Sequence, residues 1–284
     1  MSSREWRVLY RVIQRVASMM PRPKRRLSYN DGLIAALFFW AVAHDRPLCW
    51  ACQRENTRAH FRPRRLPSVS QFCRRVASQR FQLLLQRIYA ELAQSHSTGL
   101  SFLDGRPLPV GACSKDTDAK AGRVYGGFAR GYRLHACVAR TGQVIAWRLT
   151  GLNGAEARVA HELIDQVQPR GLVLADGNYD SAALYERVAR HRGQLVVQAR
   201  RNAGKGHLRQ SAARLRGLAI WRQKPDVVRR LRAMVDRYFG QQSSFGGGLA
   251  PLPAWVRTLP RVQRWVTAKL TIYHVRLHLR KRAG

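Results

Sequence analysis

Leu172-Val173-Leu174-Ala175 is an unbroken apolar run that stops on a carboxylate, Asp176, and passes at once into Gly177-Asn178. Four apolar residues without a polar break suit a strand covered on both faces, as in the parallel part of an α/β sheet. Gly and Asn are turn residues. Asp180-Ser181 then offers an N-cap to the periodic segment Ala182 to Arg190. Asp176 is therefore expected at the carboxyl end of a central strand, where open α/β sheets place their ligands. A lone Asp there is equally accounted for by a turn cap, so its meaning depends on whether other acids join it.

The flanking patterns supply the rest of a sheet. Ser101-Phe102-Leu103-Asp104 reads as a short strand that also ends on a carboxylate, with Gly105-Arg106-Pro107 closing it. A polar loop covers Lys115 to Lys120. Residues 132–139 then alternate, Gly142 turns, and Val144 to Leu149 returns, which is a hairpin signal. Helical spacing follows over Glu156 to Val167, then the Asp176 strand, a helix over 181–191 and a strand at Leu195-Val196-Val197. The basic segment Arg200 to Lys224 has no clear period and reads as a loop with short helical pieces. Asp226 caps a helix carrying Val228, Leu231, Val235 and Phe239, and a last amphipathic helix includes Trp265, Leu270 and Tyr273. This order of elements is that of the ribonuclease H-like fold, a mixed five-stranded α/β sheet flanked by helices. In that architecture the first and fourth strands are neighbours, so Asp104 and Asp176 are expected side by side.

Residues 1–98 read as an all-helical domain, and 99–284 as the sheet domain with its C-terminal helices and a basic insertion at about 200–224. The first helix spans 4–20, a basic Pro-broken linker follows, and Asn30 or Ser28 caps the apolar helix after it. A helix from about Trp50 comes next, and one further helix carries Phe72 through Ile88. Short helices joined by basic turns are compatible with a helix-turn-helix-like DNA-contacting module, and equally with a helical cap domain bearing a solvated basic face.

Charge narrows the partner. The 51 Lys and Arg against 16 Asp and Glu give a net charge of +35, a field that is costly to keep compact without a polyanion. Arg dominates, and its planar fork suits phosphate. With 45% hydrophobic residues and seven Trp, disorder is excluded. The longest apolar run, Gly32 to Ala43, is too short to span a bilayer. With no secretory signal pattern and an odd number of cysteines, five, the expected location is a reducing compartment, the cytoplasm. Cys49-x-x-Cys52, with Cys73 and His60 nearby, is half of a zinc pattern without a matched second pair. Small buried thiols on a helix are the preferred reading.

Two adjacent carboxylates raise each other's pKa, and a divalent metal relieves the conflict. Mg²⁺ takes few carboxylates with water and substrate phosphate, and two ions roughly 4 Å apart clamp an in-line phosphoryl displacement. A third acid is needed. After Glu186, which lies too far along its helix, only Asp226 and Asp236 remain; Asp236 is chosen because Asp226 is explained as an N-cap.

The chain resembles the DDE transposases of bacterial insertion sequences. The matching pieces are Ser101-Phe102-Leu103-Asp104, Ser114 to Ala119, Gly131-Tyr132-Arg133-Leu134-His135, Leu174 to Asp180, Val235-Asp236-Arg237-Tyr238-Phe239-Gly240 and the tail from Ala254 to Leu270. The resemblance implies that Asp104, Asp176 and Asp236 bind two Mg²⁺, with Mn²⁺ able to substitute, and cut DNA at the inverted ends of an element. Water attacks first, and the freed 3′-hydroxyl then joins to target DNA, in a synaptic complex built on a homodimer. Arg232, one turn before Asp236, matches the family's basic residue there. Two positions depart from the family: its third acid is usually Glu, and its Lys seven residues beyond is Ser243 here. Alternatives are a catalytically weakened or silent DNA-binding relative and an RNA-binding protein. The DNA contacts expected are Arg232 and Arg237, the basic segment with Arg200, Arg201, Lys205, Arg209, Arg214 and Arg216, and Arg64, Arg65, Arg74 and Arg75 of the helical domain. Asp116 and Asp118 are read as a solvated loop, Glu156 as a first-turn acid, His135 as structural, and Tyr179 as either packing or base-stacking.

Overall fold

The first helix, α1 (Ser3–Ser18), is set by a reciprocal cap: the Ser2 side chain accepts from the Glu5 N–H while Glu5 accepts from that of Ser2. In the computed structural model, residues 1–23, 27–57, 65–93, 99–198, 211–243, 248–249 and 252–281 are described. Asn30 caps α2 (Asp31–Ala43) through the Leu33 N–H, 2.7 Å away. The helix is apolar on every side and is buried from Ile34 to Ala43, as an all-round apolar helix must be. After the single turn α3 (Leu48–Ala51) come α4 (Val69–Ala77) and α5 (Gln79–Leu92). The sequence suggested one helix across the last two. Ser78 divides them: its backbone is extended, and its side chain accepts from Phe81 N–H to begin α5.

The sheet is built on β1 (Leu100–Pro109). Next come β2 (Lys120–Val124), β3 (Gly127–Ala139), β4 (Val144–Gly151), α6 (Glu156–Val167), β5 (Leu172–Leu174), α7 (Ala182–Arg190), β6 (Gln194–Val196), α8 (Ala212–Gln223) and α9 (Pro225–Ser243). β1 pairs antiparallel with β3 and parallel with β5, which pairs parallel with β6; β2 and β4 both pair with β3. This mixed α/β sheet has the ribonuclease H-like order, with one strand more than the five expected. The extra strand, β2, starts where the polar loop was expected to end, and it lengthens β3 back to Gly127.

Nor does Gly105-Arg106-Pro107 end β1, which continues to Pro109 against β3. β5 stops at Leu174, opposite Phe102, so from Asp104 onward β1 has a strand neighbour on one side only. Proline is tolerated on such an edge.

Alternation along β1 sends its side chains to two faces. Leu103 joins Cys137, Ala146, Val159, Leu163, Leu184 and Leu195 in the core that α6, α7 and α8 cover. On the other face Phe102 meets Tyr238, ring centroids 6.3 Å apart, and Arg106 lies 6.0 Å over Phe239, both partners being on α9. Asp104 shares the face of Phe102 and Arg106. α8 replaces part of the expected basic loop and is capped by Ser211 through Arg214 N–H. Asp226 is not an N-cap: it sits in the first turn of α9, bonded to Arg229 at 3.1 Å.

The chain divides into two compact units, Met1–Gln94 with Gln242–Gly284, and Ser95–Gln241. The last helix, α10 (Leu259–Lys281), packs on α1, α2 and α5. The C-terminal helix was expected with the sheet and belongs instead to the helical unit, because its buried residues, among them Trp265, Leu270 and Tyr273, complete the helical core. Polar groups also tie that unit together. Asp31 accepts from Arg75 and Arg80 at 2.6 Å each, and the buried Lys269 donates to Asp45 at 2.6 Å. No described helix is long and apolar enough to cross a membrane.

Candidate active site

Extending the β1–β5 register beyond Phe102 opposite Leu174 sets Asp104 level with Asp176. Asp104 Oδ1 accepts from the Gly105 N–H at 2.8 Å. Asp176 accepts from the backbone N–H of Asn178 at 2.9 Å and from its Nδ2 at 3.3 Å, and so caps the short 3₁₀ turn Gly177–Tyr179. Both readings of Asp176 hold: it caps the turn, and it stands beside a second acid.

The electrostatics show what else is near. Burial pushes the Asp104 carboxyl up to about 7, and the charges of Asp176 and then Asp236 add to that rise. The Gly105 N–H and the Arg232 guanidinium work in the opposite direction. Asp236 and Arg232, one turn apart on α9, thus both act on Asp104 from the helix that covers its face. Asp236 is exposed and Arg232 partly so.

A fourth acid reaches the same place from behind. Glu156, in the first turn of α6, forms a largely buried ion pair with Arg133 of β3. A Cβ on Gly105 would lie 3.0 Å from Glu156 Oε1 and 3.4 Å from Arg133 Cδ, so the pair fills the space where residue 105 would carry a side chain. Glu156 is also hydrogen-bonded to Asn178. Its pKa is raised, by burial first and then by Asp176, against the lowering effect of Arg133. Glu156 therefore touches the residue after Asp104 and the residue two beyond Asp176. The sequence marked it only as a first-turn acid, because nothing in spacing shows that Gly105 leaves room for it.

Among the described residues no group of three or more His, Cys, Asp or Glu is arranged to hold a metal ion unaided. What the site offers is an open pair of hard oxygen donors with a third acid at longer range. That donor set fits Mg²⁺, which keeps its water and takes phosphate rather than a closed protein cage. The profile described as Transposase DDE domain matches residues 96–249, more than half of the chain.

The chain belongs to the DDE transposase family.

Divalent metal ions are the cofactor class of DDE transposases. No curated protein matches the chain. Among solved structures it is similar to a piggyBac transposase in a synaptic complex with hairpin DNA, at 11% identity and a TM-score of 0.38. The similarity covers 69% of this chain and 51% of that one, so this chain spans about half the length of that transposase.

The DDE domain uses several of its other polar residues structurally. Asp116 is buried, where it accepts from the Tyr132 hydroxyl at 2.8 Å, while Lys115 and Thr117 on either side of it are exposed. His135 is buried with Nε2 2.9 Å from Thr150 Oγ1, and burial pulls its pKa down to about 4, leaving it neutral. Tyr179 lies in the core, which removes the base-stacking reading. Arg214, expected on DNA phosphate, instead holds Asp180 through two bonds of 3.0 Å. Arg216 turns its Nε toward Gln194 at 3.3 Å.

In the helical unit of this transposase-family chain, Arg75 is held by Asp31 rather than free for phosphate, whereas Arg65 and Arg74 are exposed. Arg237 on α9 is exposed as well. Arg64, Arg200, Arg201, Lys205, Arg209 and His60 lie outside the described residues. Cys49 and Cys73 are exposed rather than buried, and burial raises the Cys52 thiol to about 11, with Cys73 and Cys49 adding to the rise.

Proposed function

We propose that the chain is a Mg²⁺-dependent DNA transposase that hydrolyses the ends of a mobile element and transfers the freed 3′-hydroxyl to target DNA. One observation carries this reading. Asp104, midway along β1, stands beside Asp176, just past the end of the parallel strand β5, and Asp104 is held so that its charge is costly until a cation arrives. Asp104 and Asp176 would hold the metal, with Asp236 completing the set. Bound there, divalent ions supply an activated attacking oxygen and a stabilised leaving oxygen.

The chain's own residues position and neutralise. In the first step water forms a bond to the scissile phosphorus and the 3′ oxygen leaves; in the second that 3′-hydroxyl attacks a target phosphate and displaces another 3′ oxygen. Arg232, on the same helix face as Asp236, takes a phosphate oxygen, and Arg237 adds positive charge beside it. Glu156 and Arg133 back Gly105 from the opposite face, and Glu156 also bonds to Asn178. Exposed Arg65 and Arg74 contact the backbone of duplex DNA, without reading its sequence. Element ends and target are both double-stranded DNA, held by a homodimer at the nucleoid.

Supercoiled plasmid carrying the element's inverted ends, incubated with purified protein, tests the chemistry. Nicking is expected with Mg²⁺ or Mn²⁺ and none in excess chelator. Nicking that is indifferent to chelator, or absent with both metals, rejects the enzyme reading.

The second reading, a silent DNA-binding relative, is favoured by one feature: Asp236 is a methylene shorter than the family's usual Glu and lies exposed. Asp236→Glu separates the two. A misplacement near 1 Å costs on the order of a hundredfold, so a gain of about tenfold to a hundredfold in nicking marks a weakened enzyme. An unchanged rate above background marks a site adapted to Asp. Gly105→Ala probes the rear support, since the methyl must push Glu156 and Arg133 aside. Nicking is expected to fall by about tenfold to a hundredfold, with the half-saturating Mg²⁺ concentration raised and the thermal midpoint little changed.

A further inference from the structure

Tyr125 and Phe128 are the most exposed large apolar side chains among the described residues, at 105% and 80%. They flank the tip of the β2–β3 hairpin, which the sequence did not predict. Val124 pairs with Gly127, leaving Tyr125-Gly126 as the turn, and Gly126 takes the positive φ of +81° that the third position of a type II turn needs. The tip is therefore a turn on a paired ribbon, carrying aromatic rings that no described residue covers.

Register places those rings. Phe128 pairs with Arg123, and Arg130 with Ala121, so Arg123, Phe128 and Arg130 share one face of the ribbon, all exposed. Alternation from Ala136, the partner of Asp104, puts Phe128 and Arg130 on the same face of the sheet as Asp104. The tip lies beyond the carboxyl end of β1, whose last residue, Pro109, pairs with Gly131. Eight residues of strand separate Phe128 from Ala136, roughly 27 Å. Arg130 is anchored by donating to the carbonyls of Ser114, Asp116 and Ala119, which stiffens the base of the ribbon.

We propose that this hairpin is a nucleic-acid contact in which Tyr125 and Phe128 stack on unpaired bases of DNA, while Arg123 takes backbone phosphate. Aromatic rings interleaved with guanidinium groups make a sequence-tolerant stacking platform. A chain of net charge +35 favours a polyanion at such a tip over an apolar protein surface. The inference rests on DNA being the partner.

Fluorescence anisotropy with two labelled DNAs tests it, one a blunt duplex and one the same duplex with a single-stranded extension. The unaltered protein is expected to bind both and to prefer the extended one. Tyr125→Ala with Phe128→Ala should weaken binding to the extended DNA by about tenfold or more, while blunt-duplex binding stays within about twofold. Tyr125→Phe with Phe128→Tyr should retain the preference, which a loss through misfolding would not. An unchanged preference in the alanine variant overturns the inference, as does equal loss on both DNAs. If the alanine changes instead lower the sedimentation coefficient of the free protein and leave DNA binding intact, the tip is an interface between copies. Failure of the unaltered protein to bind either DNA rejects the DNA partner itself, a distinct result.

Discussion

Asp104→Asn is expected to lower Mg²⁺-dependent nicking by on the order of 10⁴-fold while making the metal-free protein more stable above neutrality. The loss follows from removing a charged donor from a group of acids that act as a unit, where single deletions cost nearly as much as deleting the set. Asp176→Asn should do the same, and the double change little more. The gain in stability follows from Asp104's raised pKa. The folded protein holds that proton up to about pH 7, whereas the unfolded chain releases it near 3.8. Stability therefore falls as pH rises between those values, and the loss is complete above 7. Asn carries no charge and escapes this loss. In chelator, thermal midpoints of the two proteins should coincide near pH 4 and differ at pH 8, the variant melting higher by on the order of 5 °C. A variant that melts lower at pH 8, or keeps its nicking, removes Asp104 from the site.

The second large effect concerns stability alone. Asp180→Ala should cost about 3–5 kcal/mol, because it strands the Arg214 guanidinium in a site where the two side chains are only 3% and 7% exposed. The bidentate pair joins the segment after the Asp176 turn to α8, so its loss loosens the element that positions an acid. Replacing both members by apolar residues of similar volume, Asp180→Leu with Arg214→Met, should recover most of the loss. Urea titration measures both. If Asp180→Ala unfolds at the wild-type midpoint, the pair is not a structural clamp.

That Arg214 could be taken for a phosphate contact shows where sequence reasoning ends. A guanidinium in a basic segment looks the same whether it faces solvent or a carboxylate 34 positions away. Arg75 and Asp31 repeat the point across 44 positions. Glu156 is the converse case, a residue with a local explanation that acquires neighbours only when β1, β3 and α6 are assembled around a glycine.

The local sequence determined what depends on near neighbours. An apolar run ending on a carboxylate makes a buried strand with an acid at its tip, and Asn30, Ser68 or Ser211 begins a helix wherever its oxygen can meet an orphan N–H. The order of those elements was enough to set Asp104 beside Asp176, since few topologies join strands and helices in that succession. Tertiary structure decided everything set by long-range pairing. It ran β1 on through a proline because β5 stops early, and it made a ribbon of a segment whose strand β2 has no apolar alternation of its own. It also moved α10 to the helical unit. Periodicity says which face of an element is apolar, but the partner for that face is chosen by packing across the whole chain.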